Sequence, residues 1–215
     1  MLHFKQKSLR DTVIDALAFI GVEDYSDFDL KEEYFNNPER GVHDPRHLYR
    51  VMIATALIAQ KLNEPRRGFL AFCGAFLHDQ ARNHNGEDSD HGPRAATTKW
   101  DVHSAVWRKY NLTTIEQDYV RSAVSLHCSR SDSGFEVDNL VRRILHDADS
   151  LDRCRFHHTQ ARLNWSLLDI PELKCTDDRP SKLLNLLIGE TEAVWCFTKD
   201  VASFISFKDF LENIR

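Results

Sequence analysis

The feature that most constrains the fold is an unbroken apolar segment that runs directly into a histidine and an aspartate. Residues 68–77 (GFLAFCGAFL) are all apolar or small, and His78 and Asp79 follow at once. A run of this length without a polar face predicts a helix buried on all sides rather than a surface helix. The helix therefore carries an imidazole and a carboxylate to the edge of the core. A carboxylate there needs hydrogen bonds, a cation or a metal ion.

The His-Asp dipeptide is not informative by itself, because it occurs three times, at residues 43–44, 78–79 and 146–147. Only the second pair follows a long apolar run. The alternative interpretation is that His78 and Asp79 merely end the helix and contact solvent.

Helical periodicity recurs along the rest of the chain. Ser8 and Thr113 are candidate N-caps, and Gly21 is a candidate C-terminal stop. No run of alternating strands and no internal repeat is present, so we predict an all-α, single-domain multi-helix bundle over residues 1–215. The predicted helical segments are 8–21, 46–63, 68–77, 94–111 in two pieces, 113–129, 135–156 and one or two helices in 180–215, with 163–180 as a loop or a broken helix.

Composition limits the class of protein. A chain of 215 residues with 42 % hydrophobic and 28 % charged residues fits one globular domain. The net charge of −5 argues against nucleic acid as a partner. The five cysteines are widely spaced and form no Cys-x-x-Cys pair, which indicates reduced thiols in a cytosolic protein. No signal-peptide core and no membrane-spanning run is found, so we predict a cytoplasmic protein without a membrane partner.

The eleven histidines prompt a search for metal ligands. A single histidine on an apolar helix face is more often a satisfied core residue than a ligand. Several imidazoles and carboxylates arriving from separate helices favour a metal site, because helical bundles build metal sites in this way. The absence of thiolates from the set argues against a structural zinc site. The candidate ligands are His47, His78, Asp79, His91, His127 and Asp149.

Five short motifs in order resemble the His-Asp (HD) superfamily of metal-dependent phosphohydrolases. They are GVHDPRHLYRV, FCGAFLHDQAR, DHGPRAA, LHC and LHDADSLDRCR. The chain looks most like the small bacterial members known only as HD-domain proteins. The resemblance covers about residues 40–156, with the helices of 180–215 closing the bundle. It implies an HD-type all-α fold and a hydrolase acting on ester bonds.

The resemblance also implies a ligand set. His91 and His127 stand where the two-metal branches of the family place two further histidines, with Asp79 as the bridge. We therefore expect one or two divalent ions per chain, from among Mn, Fe, Co, Ni, Zn and Mg. The residues implied for the first ion are His47, His78, Asp79 and Asp149.

Arginines near these ligands are candidate phosphate contacts. Arg82 stands where many family members have a basic residue three positions after the aspartate, so we assign catalytic roles to Asp79 and Arg82. Arg153 and Arg155 could take further phosphate oxygens, although surface salt bridges are the simpler interpretation for both. We retain Arg82 and Arg153 as the predicted substrate-binding residues.

One departure from the family bears on catalysis. The nucleotidase branch has an acidic residue shortly after the His-Asp pair that serves in acid/base chemistry. Here Gln80, Ala81 and Asn83 occupy that neighbourhood. Glu87 or Asp90 could substitute, but the sequence does not indicate that either does.

The predicted activity is hydrolysis of a phosphate ester in a small phosphorylated molecule, with a nucleotide among the alternatives. One competing function is that of the mixed-valent di-iron oxygenases of the superfamily, which share the six-ligand arrangement. Another is a binding module that holds a phosphorylated metabolite without turning it over. The loops 83–93 and 163–180 are expected to set specificity. The oligomeric state stays open, and a homodimer is one alternative.

The remaining histidines and acids have less distinctive positions. His43 is predicted to support a ligand, contact phosphate or face solvent. Asp147 is expected to point away from the site, and Asp152, one turn after Asp149, to support a ligand rather than bind the ion. The histidines predicted to be exposed or structural are His84, His103, His157 and His158.

Overall fold

The computed structural model describes residues 7–37, 41, 43–128, 139–156, 163–174 and 180–215, and of residues 139, 154 and 156 the backbone only. Every regular element in these ranges is helical, so the all-α prediction is confirmed. The α-helices are α1 (Leu9–Phe19), α2 (Pro45–Leu62), α3 (Pro65–Leu77), α4 (His91–Arg94), α5 (Ser104–Lys109), α6 (Thr114–Leu126), α7 (Asn139–Asp152), α8 (Lys182–Thr198) and α9 (Phe207–Glu212). Within the described ranges, no helix has the length and apolar character required to cross a membrane.

Helices α2 and α3 form the centre of the bundle. Helix α2 packs against α1, α3, α7 and α8, and α3 packs against α6 and α7. All residues from Gly68 to Leu77 are buried, as the apolar run predicted. The two helices touch where Gly68 faces Ala59, because a Cβ on Gly68 would lie 2.1 Å from the Ala59 Cβ. A side chain at residue 68 would therefore separate the central pair.

Local signals fix the ends of these helices. Asp44 caps α2 by accepting a hydrogen bond from the backbone N–H of His47 at 3.2 Å, and Pro45 occupies the first turn. Helix α2 ends at Leu62, and Asn63, its C-cap, adopts the left-handed conformation with a φ of 57°. Thr113 begins α6 with a capping box to Glu116. Of these caps, Asp44 lies at a helix end that carries a candidate ligand, His47.

The segment predicted as two helical pieces at 94–111 is more broken than expected. It consists of α4, a π-helical turn (Ala95–Lys99), a 3₁₀ turn (Asp101–His103) and α5. The Thr97 and Thr98 hydroxyls donate to the carbonyls of Pro93 and Arg94 at 2.9 and 2.8 Å. Such bonds compete with regular helical hydrogen bonding.

The segment 163–180 contains two 3₁₀ turns, Trp165–Leu167 and Pro171–Leu173, and its residues 175–179 lie outside the described part of the chain. His157 and His158 also lie outside it. Helices α8 and α9 supply the two closing helices that the sequence allowed.

Candidate metal centre

The six candidate ligands come from different helices and converge at one end of the central pair. His47 lies in the first turn of α2, and Asp149 lies in the last turn of α7. His78 and Asp79 follow α3 directly. The other two are His91 at the start of α4 and His127 directly after α6.

One group of donor atoms consists of His47, His78 and Asp149, here called the His47 cluster. The two Nε2 atoms of His47 and His78 are 3.3 Å apart. Oδ1 of Asp149 lies 3.3 Å from His47 Nε2 and 3.9 Å from His78 Nε2. The Asp149 side chain is 23 % exposed, whereas those of His47 and His78 are 3 % and 1 % exposed. The centre therefore reaches solvent on the side of Asp149.

The second group consists of His91 and His127, here called the His91 cluster. Their Nε2 atoms lie 3.0 Å apart, and both side chains are buried. A close backbone approach holds them together: a Cβ on Gly92 would lie 2.5 Å from the Val124 carbonyl oxygen and 3.2 Å from His127 Nδ1. Glycine at residue 92 thus allows α4 to pack against the end of α6.

Asp79 lies between the two clusters and presents one oxygen to each. Its Oδ2 is 3.5 Å from His47 Nε2 and 3.7 Å from His78 Nε2. Its Oδ1 is 3.1 Å from His91 Nε2. The carboxylate is 2 % exposed. Asp79 therefore contacts both clusters, and the bridging role that the sequence resemblance implied for it stays a prediction.

The orientation of each imidazole is fixed by a hydrogen bond from its other nitrogen. Nδ1 of His78 and of His127 donates to the carbonyls of Ala75 and Val124 at 2.8 and 2.7 Å. Nδ1 of His91 donates to the Asp88 carbonyl. A carbonyl oxygen only accepts, so the proton of each neutral ring is on Nδ1 and the lone pair of Nε2 points into the centre. This outer support is typical of metal-binding histidines.

His47 follows the same rule with a carboxylate in place of a carbonyl. Its Nδ1 donates to Oδ2 of Asp152 at 2.7 Å. Arg50 holds the same carboxylate through Nε at 2.7 Å, and Arg155 also pairs with it. Asp152 therefore supports a candidate ligand, in the role that the sequence predicted for it.

The donor atoms fit a divalent ion. Ring nitrogens face each other across 3.3 Å between His47 and His78 and across 3.0 Å between His91 and His127, and two such nitrogens repel unless a proton or a cation lies between them. A tetrahedral ion bound by nitrogen and oxygen at about 2.0–2.2 Å needs donor atoms about 3.3 Å apart. The observed separations lie close to this value. Buried groups of histidine and aspartate here could therefore hold a metal ion.

Charge in the centre also favours a cation. Burial acts to raise the pKa of Asp79, but the surrounding imidazoles of His78, His43, His47 and His91 outweigh it and hold that pKa well below its usual value. Burial lowers the pKa of His78 to about 3, so this ring is neutral near pH 7.

The pKa of His91 is shifted in the opposite direction from that of His78. Burial would lower its pKa, but the Asp79 carboxylate and the Cys128 thiol accept hydrogen bonds that raise it to about 10. In the metal-free protein a proton on His91 Nε2 can bond to Asp79. Protons and metal ions therefore compete for this nitrogen.

Two further residues contact Asp79. Nε of Arg82 donates to Asp79 Oδ1 at 2.8 Å, and its Nη2 lies 3.5 Å from His91 Nε2. Nδ1 of His43 lies 2.7 Å from Asp79 Oδ2. The His43 side chain is 21 % exposed, so it lies on the solvent side of the centre. The sequence left the role of His43 open, and the structure places it against the bridging carboxylate.

The structure separates the two arginines that the sequence grouped together. Arg153, the predicted substrate contact, is exposed, and no described residue joins it to the ligand set by a hydrogen bond or an ion pair. Arg155 lies next to His47, with Nη1 at 3.0 Å from the Asp152 carbonyl oxygen. Residues three apart eclipse in a 3₁₀ turn such as Arg153–Phe156. Arg155 follows Asp152 by three residues and so lies beside it, whereas Arg153 does not.

The position after the His-Asp pair carries no acid. Gln80 is buried, donates to the Phe76 carbonyl at 2.6 Å and accepts from His103 Nε2 at 2.9 Å. Glu87 and Asp90, the possible substitutes, are exposed. His103 is buried and structural, and Asp147 accepts the backbone N–H groups of Asp169 and Ile170 away from the centre.

Cys128 is the residue near the centre that the sequence interpretation missed. Its Sγ lies 3.5 Å from His91 Nε2. Burial acts to raise its pKa, but His127 and His91 lower that pKa to about 6. The signal was its position directly after His127, in the motif LHC.

Fold and site together define an all-α protein with a buried cluster of histidine and aspartate that could hold a metal ion. Searches of protein-family models, curated proteins and solved structures find no match to the chain. The HD-superfamily resemblance therefore stays a hypothesis based on its motifs.

Proposed function

We propose that the protein is a metal-dependent phosphohydrolase that cleaves a phosphate ester of a small phosphorylated molecule, with nucleotides among the candidate substrates. The observation that carries the proposal is the position of Asp79. Its two oxygens face two separate sets of imidazole Nε2 atoms. A carboxylate between two sets of imidazole donors suits a site that holds two metal ions for hydrolysis.

Divalent ions held by these residues would lower the pKa of water and neutralise charge on a phosphoryl oxygen. The chain's own groups orient the reactants. Arg82 donates from Nε to Asp79 Oδ1 at 2.8 Å and from Nη1 to the Gly86 carbonyl at 3.3 Å. Its Nη2 group, 3.5 Å from His91 Nε2, could donate to a phosphate oxygen at the edge of the centre. His43, on the solvent side of Asp79, can hold or release a proton there.

A basic cavity next to the centre supports an anionic substrate. The cavity has a volume of about 300 Å³. It reaches the His47 cluster through Arg155 and Asp152, which contact each other and His47. Its charged lining includes three arginines and a lysine against one aspartate. The lining residues are Gly41, Asp44, Arg46, Arg50, Arg155, Trp195 and Lys199.

Trp195 is partly exposed and Lys199 is exposed, so a ligand in this cavity can contact both side chains. Arg46 is engaged by Asp44 and by the carbonyls of Lys199 and Val201. Lys199 forms no ion pair with a described carboxylate, and its Nζ lies 5.6 Å from the centre of the Trp195 ring. A cation beside a partly exposed aromatic ring suits a phosphate attached to a planar base.

Gln80 favours a second candidate, a module that binds a phosphorylated metabolite without hydrolysis. A neutral amide occupies the place after Asp79 where the nucleotidase branch has an acid, and its hydrogen bonds to Phe76 and His103 keep it in the core. The oxygenase alternative uses the same six ligands, and the chemistry of these donors does not distinguish iron from manganese.

The test combines metal analysis with turnover. Purified protein should retain one or two divalent ions per chain and release phosphate from at least one member of a panel of nucleotides and sugar phosphates. Asp79→Ala should lose both metal and turnover, whereas Asp101→Asn, at an exposed aspartate outside the ligand set, should lose neither.

The alternatives give different results in the same experiment. Metal-replete protein that binds nucleotides tightly by calorimetry but releases no product from the panel would support the binding module and contradict hydrolysis. Iron-loaded protein with a mixed-valent paramagnetic signal and substrate-dependent oxygen uptake would support the oxygenase and also contradict hydrolysis.

A further inference from the structure

We propose that Cys128 is a protein ligand of the ion held by the His91 cluster, so that this half of the centre binds through two imidazoles and a thiolate. The inference rests on the metal centre of the proposed function but not on the reaction catalysed there. A thiolate would shift the preference of this position towards Zn²⁺, Co²⁺ and Fe²⁺ and away from Mg²⁺.

The distances support this assignment. His91 Nε2 lies 3.0 Å from His127 Nε2 and 3.5 Å from Cys128 Sγ. One donor atom from each of the three residues lies within 4.8 Å of the others. A tetrahedral ion bound to nitrogen at about 2.0–2.1 Å and to sulfur at about 2.3 Å needs N–N and N–S separations of about 3.3 and 3.6 Å. The His91–His127 and His91–Cys128 separations are therefore close to those that one ion requires.

The two histidines are fixed as donors independently of the thiol. Both are buried, Nδ1 of each donates to a backbone carbonyl, and their Nε2 atoms lie 3.0 Å apart, so both Nε2 atoms face the same point. The close approach of Gly92 to Val124 holds the two rings together. Two buried ring nitrogens that face one point are the second observation, apart from the cysteine, that indicates a cation there.

Cys128 differs from the other described cysteines in what surrounds it. Cys73 is buried in α3 among apolar residues, and Cys196 is exposed on α8. Cys128 is exposed on one side and contacts the two imidazoles on the other. An ion and solvent can therefore both reach its sulfur. On binding, the S–H proton leaves to solvent and the thiolate forms the bond to the metal.

Asp79 completes the set. Its Oδ1 lies 3.1 Å from His91 Nε2, close to the separation of two donors on one ion. The site would then consist of two imidazoles, a thiolate and one oxygen of Asp79, whose other oxygen faces the His47 cluster. It differs in its thiolate from the ligand set expected from the sequence. The prediction that thiolates are absent from the centre would then apply only to the His47 cluster.

The test uses Co²⁺, because a bond between thiolate sulfur and Co²⁺ gives a charge-transfer absorption in the near ultraviolet. Full-length protein stripped with chelator and reloaded with Co²⁺ should show this band. Cys128→Ser should lose it, while Cys196→Ser should retain it. The Cys128→Ser protein should also bind Zn²⁺ at least about tenfold more weakly at one of its sites. A band that is absent from the wild type or retained in Cys128→Ser would overturn the proposal.

A measurement on unaltered protein covers the case in which Cys128→Ser fails to fold. Zn²⁺-loaded and chelator-treated wild-type protein are alkylated with iodoacetamide, and the modified peptides are quantified. Zn²⁺ should protect Cys128 and leave Cys196 equally reactive in both samples. Equal labelling of Cys128 would contradict the proposal. The phosphate-release panel is independent, since a Co²⁺ band without hydrolysis rejects the proposed function alone, and hydrolysis without the band rejects the thiolate ligand alone.

Discussion

His47 and Asp152, 105 residues apart in the chain, are joined by a hydrogen bond of 2.7 Å between Nδ1 and Oδ2. The same carboxylate is held by Arg50 and Arg155. The bond fixes the ring of His47 so that Nε2 faces the centre. The orientation of one candidate ligand thus depends on a residue of α7 that is not itself a candidate ligand.

Replacing Asp152 should therefore weaken metal binding. We expect Asp152→Asn to lower the affinity of the His47 cluster by about 10- to 100-fold, because the amide accepts a weaker bond from Nδ1 and can present its NH₂ group instead. Competition with a chromogenic chelator measures the affinity. Asp147→Asn is the matched control on the same helix, since Asp147 accepts backbone N–H groups of residues 169 and 170. It should lower stability by about 1–3 kcal/mol without changing metal affinity. Equal metal affinities for Asp152→Asn and wild type would refute the supporting role.

Gly92 should be needed for the His91 cluster. A Cβ at this residue would lie 2.5 Å from the backbone oxygen of Val124, so Gly92→Ala must push α4 away from α6. We expect the variant to bind one ion fewer per chain, by elemental analysis, and to melt at a lower temperature. Gly189→Ala, in the interior of α8 with no atom within 4 Å of the new Cβ, should instead be neutral or stabilising by up to about 1 kcal/mol. Full metal content in Gly92→Ala would contradict the expectation.

His103 should make the stability of the metal-free protein depend on pH. Burial and, to a smaller extent, Lys99 lower its pKa from 6.5 to about 4. Between these values the unfolded chain binds a proton that the folded chain does not, so the free energy of unfolding falls as the pH decreases from 6.5 to 4. This residue alone contributes a difference of about 3 kcal/mol over that range. Denaturant unfolding from pH 4 to 7.5 should give a shallower pH dependence for His103→Gln than for wild type. His84→Gln, at an exposed loop residue, should keep the wild-type slope.

Lys199 should contribute to substrate binding through the basic cavity. Its ammonium is exposed and lacks a described carboxylate partner, so Lys199→Ala should raise KM for a phosphorylated substrate about two- to fivefold with little change in kcat. The effect should shrink as salt is added, because an exposed charge is screened. Lys208→Ala, at an exposed lysine outside this cavity, is the control. An unchanged KM at low salt would exclude Lys199 from the binding site.

Much of the fold was predictable because its signals are local. The apolar run at 68–77 can only be buried, and the caps at Ser8 and Thr113 are side-chain features of single residues. The irregular segment after His91 was not predictable in detail, because threonine hydroxyls compete there with the helical hydrogen bonds.

The ligand set was predicted from ordered motifs, and the structure brings all six residues together. The motifs did not predict which other residues lie around the ligands. Whether Arg153 or Arg155 approaches His47 depends on a 3₁₀ turn at the end of α7. The approach of Cys128 to His91 depends on how closely α4 packs on α6, which spacing along the chain does not encode.

The hydrogen bonds that orient three of the imidazole rings affect how the centre would bind metal. His78, His91 and His127 each bond through Nδ1 to the carbonyl three residues earlier in the chain. Because each bond spans only three residues, it forms when the local backbone folds. The rings are therefore oriented before any ion binds. Loading should then demand little rearrangement, and chelation should leave a native, reloadable bundle, unlike the collapse seen when small zinc-stapled domains lose their metal.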